Sequence, residues 1–161
     1  MDSDNSSCFY TNEILFTGSP AVFFYCMDGY NVVQEPVSSF ETLADRLAVI
    51  KEQARQRIPI PFSVDIALQG KGYISVGLGS DESIIIWYNA PRDIYLTSLG
   101  DETAKGTKLY YFGDWTRLAA KHTISWQTAL GVIKAWIECG EIQDCIAWTP
   151  LQNSGTGSSG L

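Results

Sequence analysis

The alternation of apolar and polar residues from Phe62 to about Leu118 restricts the fold of this chain more than any other feature. In FSVDIAL (62–68) the large apolar residues occupy every second position, so they share one side of an extended strand. The same period recurs in YISVGL (73–78), SIIIWY (83–88), DIYLTSL (93–99) and KLYYF (108–112). Short turn-forming segments separate these strands: GKG, GSDE, NAPR and GDETAKG. Consecutive strands with short turns predict an antiparallel meander.

Further strands are predicted on either side of this region. AVFFYCM (21–27) is rich in strand-forming residues, and a second extended segment covers 30–34. Asp28–Gly29 between them is a typical hairpin turn. CIAW (145–148) is predicted to be the last strand.

Two amphipathic helices complete the pattern. The first is predicted to start in a capping box of Ser38 and Glu41 and to end at RIPIP (57–61). Its apolar face consists of Phe40, Leu43, Leu47, Ile50 and Ala54. The second helix is predicted over 126–139, with Ser125 as N-cap and Gly140 as its end.

These elements predict an α+β fold: a single antiparallel β-sheet meander with two amphipathic helices packed on one face. With 161 residues and 45% hydrophobic content, the chain suits one domain, which we place at 1–150. The Gly/Ser-rich segment 151–161 is predicted to be a disordered tail. The opposite face of the sheet is expected to face solvent in part or to contact a partner.

Charge and targeting signals narrow the possible partners. The net charge of −7 repels nucleic acid phosphates and suits a basic protein partner. The first residues lack a signal-peptide pattern, and no apolar run reaches the roughly 18 residues that a membrane span needs. We therefore predict a cytoplasmic protein without membrane or nucleic acid contact, whose four cysteines are free, buried thiols.

A search for catalytic groups yields little. His122 is the only histidine and no CxxC pair is present, so neither a metal site nor a cofactor is predicted. An enzyme that pairs His122 with Cys139, Cys145 or a carboxylate remains an alternative, although an ordinary surface or strand-end histidine is the commoner case. The loop Gly77–Glu82 lacks the lysine of a phosphate-binding loop and a strand follows it, so it is interpreted as a turn.

The order of the aromatic motifs is more informative than any one of them. ISVGLGSDESIIIWY (74–88), YYFGDW (110–115), ISWQTALGVIKAWIECG (124–140) and CIAW (145–148) follow one another. This order resembles the first-numbered of the Imm families, bacterial immunity proteins encoded beside polymorphic toxins, and the resemblance covers about 62–148. Two positions depart from the family pattern: Ser125 stands where proline is common, and EIQDC (141–145) stands where an arginine–proline pair is common.

The resemblance implies a non-enzymatic inhibitor of a cognate toxin, which it would bind over the active site or the substrate path. The implied toxin is a basic enzyme, most typically a nucleic acid (cytosine) deaminase. A nuclease toxin is the alternative partner. A small enzyme using His122, or an adaptor with an exposed sheet edge, is the alternative function.

Turn acids and sheet aromatics are the predicted partner contacts, because charged turns and exposed aromatic residues both suit a basic protein surface. The predicted contact residues are Asp81, Glu82, Tyr88, Asp101, Glu102, Tyr111 and Asp114.

Overall fold

A computed structural model describes residues 20–26, 31–57, 62–78, 81–111 and 115–151. The described helices are α1 (Phe40–Arg57) and α2 (Trp126–Cys139), and a 3-10 turn covers Ala120–His122. The described strands are β1 (Ala21–Tyr25), β2 (Val33–Pro36), β3 (Phe62–Leu68), β4 (Gly72–Leu78), β5 (Glu82–Ser83), β6 (Ile85–Asn89), β7 (Ile94–Leu99), β8 (Thr107–Tyr111), β9 (Trp115–Ala119), β10 (Ile124–Ser125) and β11 (Ala147–Pro150).

Nine of these strands form one sheet, whose main path has the order β11-β7-β6-β4-β3-β1-β2. The middle of this path, β3-β4-β6-β7, matches the first four strands of the predicted meander, and each of its pairs is antiparallel. The fifth predicted strand, β8, pairs with β9 and β3 rather than with β7, so this part of the predicted meander is wrong. The β8–β9 hairpin branches from β3 through one parallel pair, Phe62 with Tyr111. The short strands β5 and β10 form a separate antiparallel pair. The α+β class with a large antiparallel sheet is confirmed.

The main core lies between this sheet and the two helices. Leu43, Leu47 and Ile50 of α1 are buried, as are Ile133 and Trp136 of α2. They pack in one cluster with the apolar side of the sheet, which includes Val64, Ile66, Ile74, Val76 and Trp87. Both helices therefore cover one face of the sheet, as their apolar stripes predict.

The opposite face is also buried in part. Ser63, Asp65 and Ala67 of β3 point away from the helices by strand alternation, yet all three are buried. Farther along this face, Tyr110 lies over Gly77, where an added Cβ would be 2.5 Å from the tyrosine ring. Tyr110 belongs to a second cluster with Ile84 and Leu118, so it is a core residue of the face away from the helices.

The limits of α2 agree with the prediction, and those of α1 differ slightly. Ser125 caps α2 by accepting from the Thr128 backbone N–H, and Gly140 ends it in a left-handed conformation. In α1 the capping serine is Ser39, whose hydroxyl accepts from the Thr42 backbone N–H at 3.1 Å. The predicted Ser38–Glu41 box is therefore wrong by one residue.

Two strands also differ from their predicted limits. The strand after β1 covers Val33–Pro36 rather than 30–34, and β11 covers Ala147–Pro150 rather than 145–148. Cys145 closes a turn instead, because its N–H donates to the carbonyl of Ile142 at 3.2 Å. The predicted turn at Asp28–Gly29 and residues 152–161 of the predicted tail lie outside the described residues.

The prediction of free, buried cysteines is wrong in two respects. Cys139 and Cys145 are free, but both are exposed at or beyond the end of α2. Cys26 is buried and disulfide-bonded.

Candidate partner-binding site

A cleft of about 450 Å³ opens where β5, β10 and the start of α2 meet the loop between β7 and β8. On one wall, β5 pairs with β10 through Ser83–Ile124 and Glu82–Ser125. The backbone N–H of Trp126 donates to the carbonyl of Asp81 at 2.8 Å. These contacts fix Asp81 and Glu82 beside the first turn of α2.

The β7–β8 loop forms the other wall. Asp101 accepts from the backbone N–H of Thr103 at 2.9 Å and from its hydroxyl at 2.5 Å. The bond from the Thr103 hydroxyl, and to a smaller extent the bond from its backbone N–H, lower the pKa of Asp101. This carboxylate is therefore charged at neutral pH. Gly100 joins the loop to the 3-10 turn, because its N–H donates to the carbonyl of Lys121 at 2.7 Å.

Charged side chains of both signs line the cleft. Three carboxylates, those of Asp81, Glu82 and Asp101, lie with the ammonium groups of Lys105 and Lys108. Glu82 and Lys108 form an ion pair at 3.2 Å, and each side chain is nearly half exposed. An exposed pair of this kind contributes little to stability, so these charges remain available to a partner.

Beside the cleft, the first residue of α2 contacts α1. Lys51 of α1 places its ammonium group 4.3 Å from the centre of the Trp126 ring. Burial lowers the pKa of Lys51, while the nearby Asp81 carboxylate acts in the opposite direction. Thr123 lines the same cleft, and its hydroxyl is buried with no hydrogen-bond partner in the part of the chain that the structure describes.

A row of three tyrosines marks a second surface, on the sheet face away from the helices. Tyr73, Tyr88 and Tyr95 lie opposite one another on β4, β6 and β7. Their ring centres are 5.6 Å and 4.7 Å apart, and Tyr95 is 45% exposed. The Tyr88 hydroxyl donates to Asp93 at 2.8 Å, and this bond raises the pKa of Tyr88.

The seven predicted contact residues do not all lie at one site in the structure. Asp81, Glu82 and Asp101 line one cleft although up to twenty residues separate them in the chain. Glu102 is exposed beside Asp101 in the same loop but does not line the cleft. Tyr88 lies in the tyrosine row, at the end of β6 far from β5.

The remaining two predicted residues fall outside this description. The Tyr111 backbone pairs with Trp115 and Phe62, but its side chain is not described. Asp114 lies outside the described residues.

Several residues of these surfaces were not predicted. Lys105 and Lys108 were not predicted, although Lys105 lies in the GDETAKG turn with the predicted acids and Lys108 follows it at the start of the next strand. Tyr73 and Tyr95 were not predicted, because a row of residues across three strands depends on how the strands are paired. The alternation within one strand does not give this register. Ser125 was assigned to capping and also lines the cleft.

His122 is held in place by two hydrogen bonds with Ser98. It is buried, and its ring Nδ1 lies 3.0 Å from the carbonyl of Ser98. The Ser98 hydroxyl in turn donates to the His122 carbonyl at 2.8 Å. Burial lowers the pKa of His122, which favours the neutral ring.

The structure separates His122 from Cys139, one of the two cysteines considered as its nucleophilic partner. Cys139 lies at the far end of α2, and fourteen residues of helix span roughly 20 Å. Nor does any group of three or more His, Cys, Asp or Glu within the described ranges have the arrangement of a metal site. The charged side chains that line the cleft suit the recognition of charged groups.

No described helix is long and apolar enough to cross a membrane. A family model, described as immunity protein Imm1, matches residues 33–150. The match confirms the resemblance of the aromatic motifs and extends it over β2 and α1, where no motif had been recognised. No curated protein matches the chain.

Proposed function

The chain belongs to the Imm1 family of immunity proteins, which implies a cognate toxin as its partner, and we propose that it inhibits this toxin by covering its active site or substrate path. We further propose that the toxin is a nucleic acid deaminase acting on cytosine. The deaminase assignment is supported by the family resemblance of the aromatic motifs, which run in the same order as in immunity proteins paired with such toxins.

The carboxylates of the cleft are the observation that carries the proposed mode of binding. An enzyme acting on nucleic acid presents a basic groove to its substrate, and acidic side chains of an inhibitor can occupy the places of the phosphates. Asp81 and Asp101 are exposed carboxylates on opposite walls of one cleft, in a protein with a net charge of −7. We propose that basic side chains from the rim of the toxin groove enter this cleft.

A nuclease toxin is the second candidate partner, because its groove would be basic for the same reason. The two candidates differ in their products. Deamination converts cytosine to uracil and leaves the strand intact, whereas a nuclease shortens the strand. Incubating the toxin with a defined oligonucleotide therefore distinguishes them before the immunity protein is added.

We also propose that the protein is not an enzyme, uses no cofactor, and acts in the cytoplasm. The first of these is supported by His122, whose ring is held in a buried site by Ser98. Action in the cytoplasm is supported by the location of the toxin's proposed substrate. The disulfide of Cys26, in contrast, is more typical of an oxidising compartment. Thiol counting on protein taken from separated cytoplasmic and periplasmic fractions tests the proposed compartment.

The binding mode is tested with two double variants that change the net charge equally. Asp81→Lys/Asp101→Lys reverses both cleft carboxylates, whereas Asp45→Lys/Glu138→Lys reverses two exposed helix acids outside the cleft. The toxin encoded by the adjacent gene is titrated with each protein by calorimetry. We expect the cleft variant to bind at least about 100-fold more weakly than the control, because reversing charges at an interface costs several kcal/mol.

Equal loss of affinity in both variants would show that only the overall charge matters, and the cleft would then not be the contact. Unchanged affinity in both would exclude an electrostatic contact at either place. Circular dichroism of each variant before titration separates a loss of contact from a loss of fold.

A further inference from the structure

The loop between β7 and β8, residues 100–106, is bonded to the 3-10 turn at both of its ends. At its start, the N–H of Gly100 donates to the carbonyl of Lys121 at 2.7 Å. At its end, the carbonyl of Gly106 accepts from the N–H of Ala120 at 2.9 Å. The position of this loop therefore depends on the position of the 3-10 turn.

The 3-10 turn is fixed in its place by His122 and by Ser98 of β7. The Ser98 hydroxyl donates to the His122 carbonyl at 2.8 Å, and the ring Nδ1 of His122 lies 3.0 Å from the Ser98 carbonyl. A carbonyl oxygen can only accept, so Nδ1 carries the proton and donates. The side chain of each residue thus bonds the backbone of the other. Both residues are buried, where water does not replace a lost hydrogen bond.

Ser98 also connects the turn to the centre of the sheet. Its hydroxyl oxygen accepts from the backbone N–H of Ile85 in β6 at 3.1 Å, while its proton goes to the His122 carbonyl. Ile85 is fully buried and belongs to the main core. The turn is therefore attached to the core through one hydroxyl group.

Two charged side chains of the cleft lie on the loop that the turn holds. Asp101 and Lys105 line the cleft from this loop. The Asp101 carboxylate is bonded to Thr103, and the Asp101 carbonyl accepts from the N–H of Ala104 at 3.0 Å. These internal bonds give the loop a shape of its own, so a shift of its two ends moves the Asp101 carboxylate with them.

We propose that His122 is a positioning residue for partner binding, which holds the 3-10 turn through Ser98 and thereby places the Asp101 wall of the cleft opposite the β5–β10 wall. The role rests on the proposed docking of the toxin at this cleft. His122 acts through the loop and does not touch the partner. A loop that is already in place before binding loses less conformational freedom on binding, which strengthens the complex.

Amide hydrogen exchange of the full chain, followed by nuclear magnetic resonance without any partner, measures how firmly the loop is held. His122→Leu removes the Nδ1 donor, and we expect the amides of Gly100 and Ala120 to exchange about tenfold faster, because a buried hydrogen bond is lost. His122→Asn keeps an N–H close to the place of Nδ1 and should restore most of the protection. The amide of Gly140, bonded at the other end of α2, is the internal reference and should not change.

Thr97→Val is the matched control for Ser98→Ala. Thr97 is the neighbour of Ser98 on β7 and is also fully buried, but strand alternation directs its side chain to the opposite face of the sheet. Its hydroxyl makes no hydrogen bond to any residue that the structure describes. We expect Ser98→Ala to speed exchange at Gly100 as His122→Leu does, and Thr97→Val to leave it unchanged.

The tautomer of His122 provides a spectroscopic readout. The bond to Ser98 requires the proton on Nδ1, and the ¹⁵N signals of the ring report which nitrogen carries it. A neutral ring protonated at Nε2 would contradict this bond and overturn the proposal.

Titration with the toxin connects the position of the loop to binding. We expect His122→Leu and Ser98→Ala to bind about tenfold more weakly than Thr97→Val, and His122→Asn to recover most of the affinity. Equal exchange at Gly100 in all four variants, or faster exchange with unchanged affinity, would overturn the positioning role. A natural protein that does not bind the toxin would overturn the proposed function, and the role of His122 in binding with it, whatever the exchange rates are.

Discussion

Asp65 lies in the least usual environment of any acid that the structure describes. It is 4% exposed, on the sheet face away from the helices, and it accepts a hydrogen bond from the Ser75 hydroxyl of the neighbouring strand. Burial raises the pKa of Asp65 to about 7, and the Ser75 bond opposes this shift. Strand alternation predicted the direction of this side chain but not its burial, because the covering of a face depends on residues distant in the chain.

The raised pKa predicts that Asp65 weakens the fold as pH rises. Between the unfolded pKa of 3.8 and the folded value of about 7, the folded state holds a proton that the unfolded state has released. The free energy of unfolding therefore falls over this window and levels off above it. Asp65→Asn removes this effect, so its stability relative to the natural protein should rise by about 4 kcal/mol between about pH 4 and about pH 8.

Urea unfolding of both proteins across this range provides the measurement. Taking the difference between them removes the contribution of other groups, including His122, whose lowered pKa acts in the opposite direction. Parallel curves for the two proteins would contradict a raised pKa at Asp65.

Gly100 holds the cleft loop against the 3-10 turn, and the contact leaves no room for a side chain. A Cβ at this position would lie 2.0 Å from the carbonyl oxygen of Thr123, a backbone atom that cannot rotate away. Gly100→Ala is therefore expected to cost about 1–3 kcal/mol in the free energy of unfolding.

Gly131→Ala is the matched control for this change. Gly131 is exposed in the interior of α2, and an added Cβ there meets nothing within 4 Å. Helix propensity predicts a gain of about 0.5–1 kcal/mol. Thermal unfolding of both variants should give shifts of opposite sign, and a neutral Gly100→Ala variant would show that the loop is loosely held.

Among the elements, α2 was predicted best because its signals are local. A capping serine, an apolar stripe and a terminal glycine lie within sixteen residues, 125–140, and each acts on its immediate neighbours. In α1 two adjacent serines offered two caps, and the sequence alone did not favour the one that the structure uses. The last strand was displaced by two residues, because a turn over Ile142–Cys145 competes with extension.

The α2 cap provides a test at this scale. Ser125→Ala removes the acceptor for the Thr128 N–H, a bond of 3.0 Å, and should lower the free energy of unfolding by about 1 kcal/mol. Ser125→Asp keeps an acceptor and adds a favourable charge at the helix start, so it should retain most of the stability. Chemical denaturation measures both, and an equal loss in the two variants would rule out the capping bond as the cause.

Pairings between distant elements could not be predicted. The β5–β10 pair joins Ser83 to Ile124, and the β8–β9 hairpin meets β3 through a single parallel pair. The two-residue strands β5 and β10 are too short to show alternation, and a single parallel pair between β8 and β3 leaves no pattern in the sequence. These pairings assemble the cleft. The sequence therefore predicts which types of residue form the candidate site, but not where in the fold they meet.

In the whole molecule, these strand pairings form a cleft of mixed charge in a protein whose net charge is negative. We propose that the overall charge of −7 accelerates encounter with a basic partner, and that the cleft carboxylates determine where the partner docks. The sequence predicted the first effect from composition alone. The position of docking depends on the contact between the β7–β8 loop and the start of α2, which composition does not show.

Salt should therefore slow association with the toxin. We expect the association rate to fall by about tenfold between roughly 0.05 M and 0.5 M ionic strength, because screening removes the long-range attraction. The Asp81→Lys/Asp101→Lys variant should associate more slowly and depend less on salt. Stopped-flow fluorescence at several salt concentrations provides the rates, and a salt-independent rate for the natural protein would contradict electrostatic steering.

Inhibition of the purified toxin tests the central claim most directly. The toxin domain encoded by the adjacent gene is incubated with a cytosine-containing oligonucleotide, and uracil formation is followed as the immunity protein is added. The account predicts that activity falls to background as the protein saturates the toxin at submicromolar concentration, and that co-expression restores growth of toxin-producing cells. Full toxin activity in a micromolar excess of folded protein, with no rescue of growth, would contradict it.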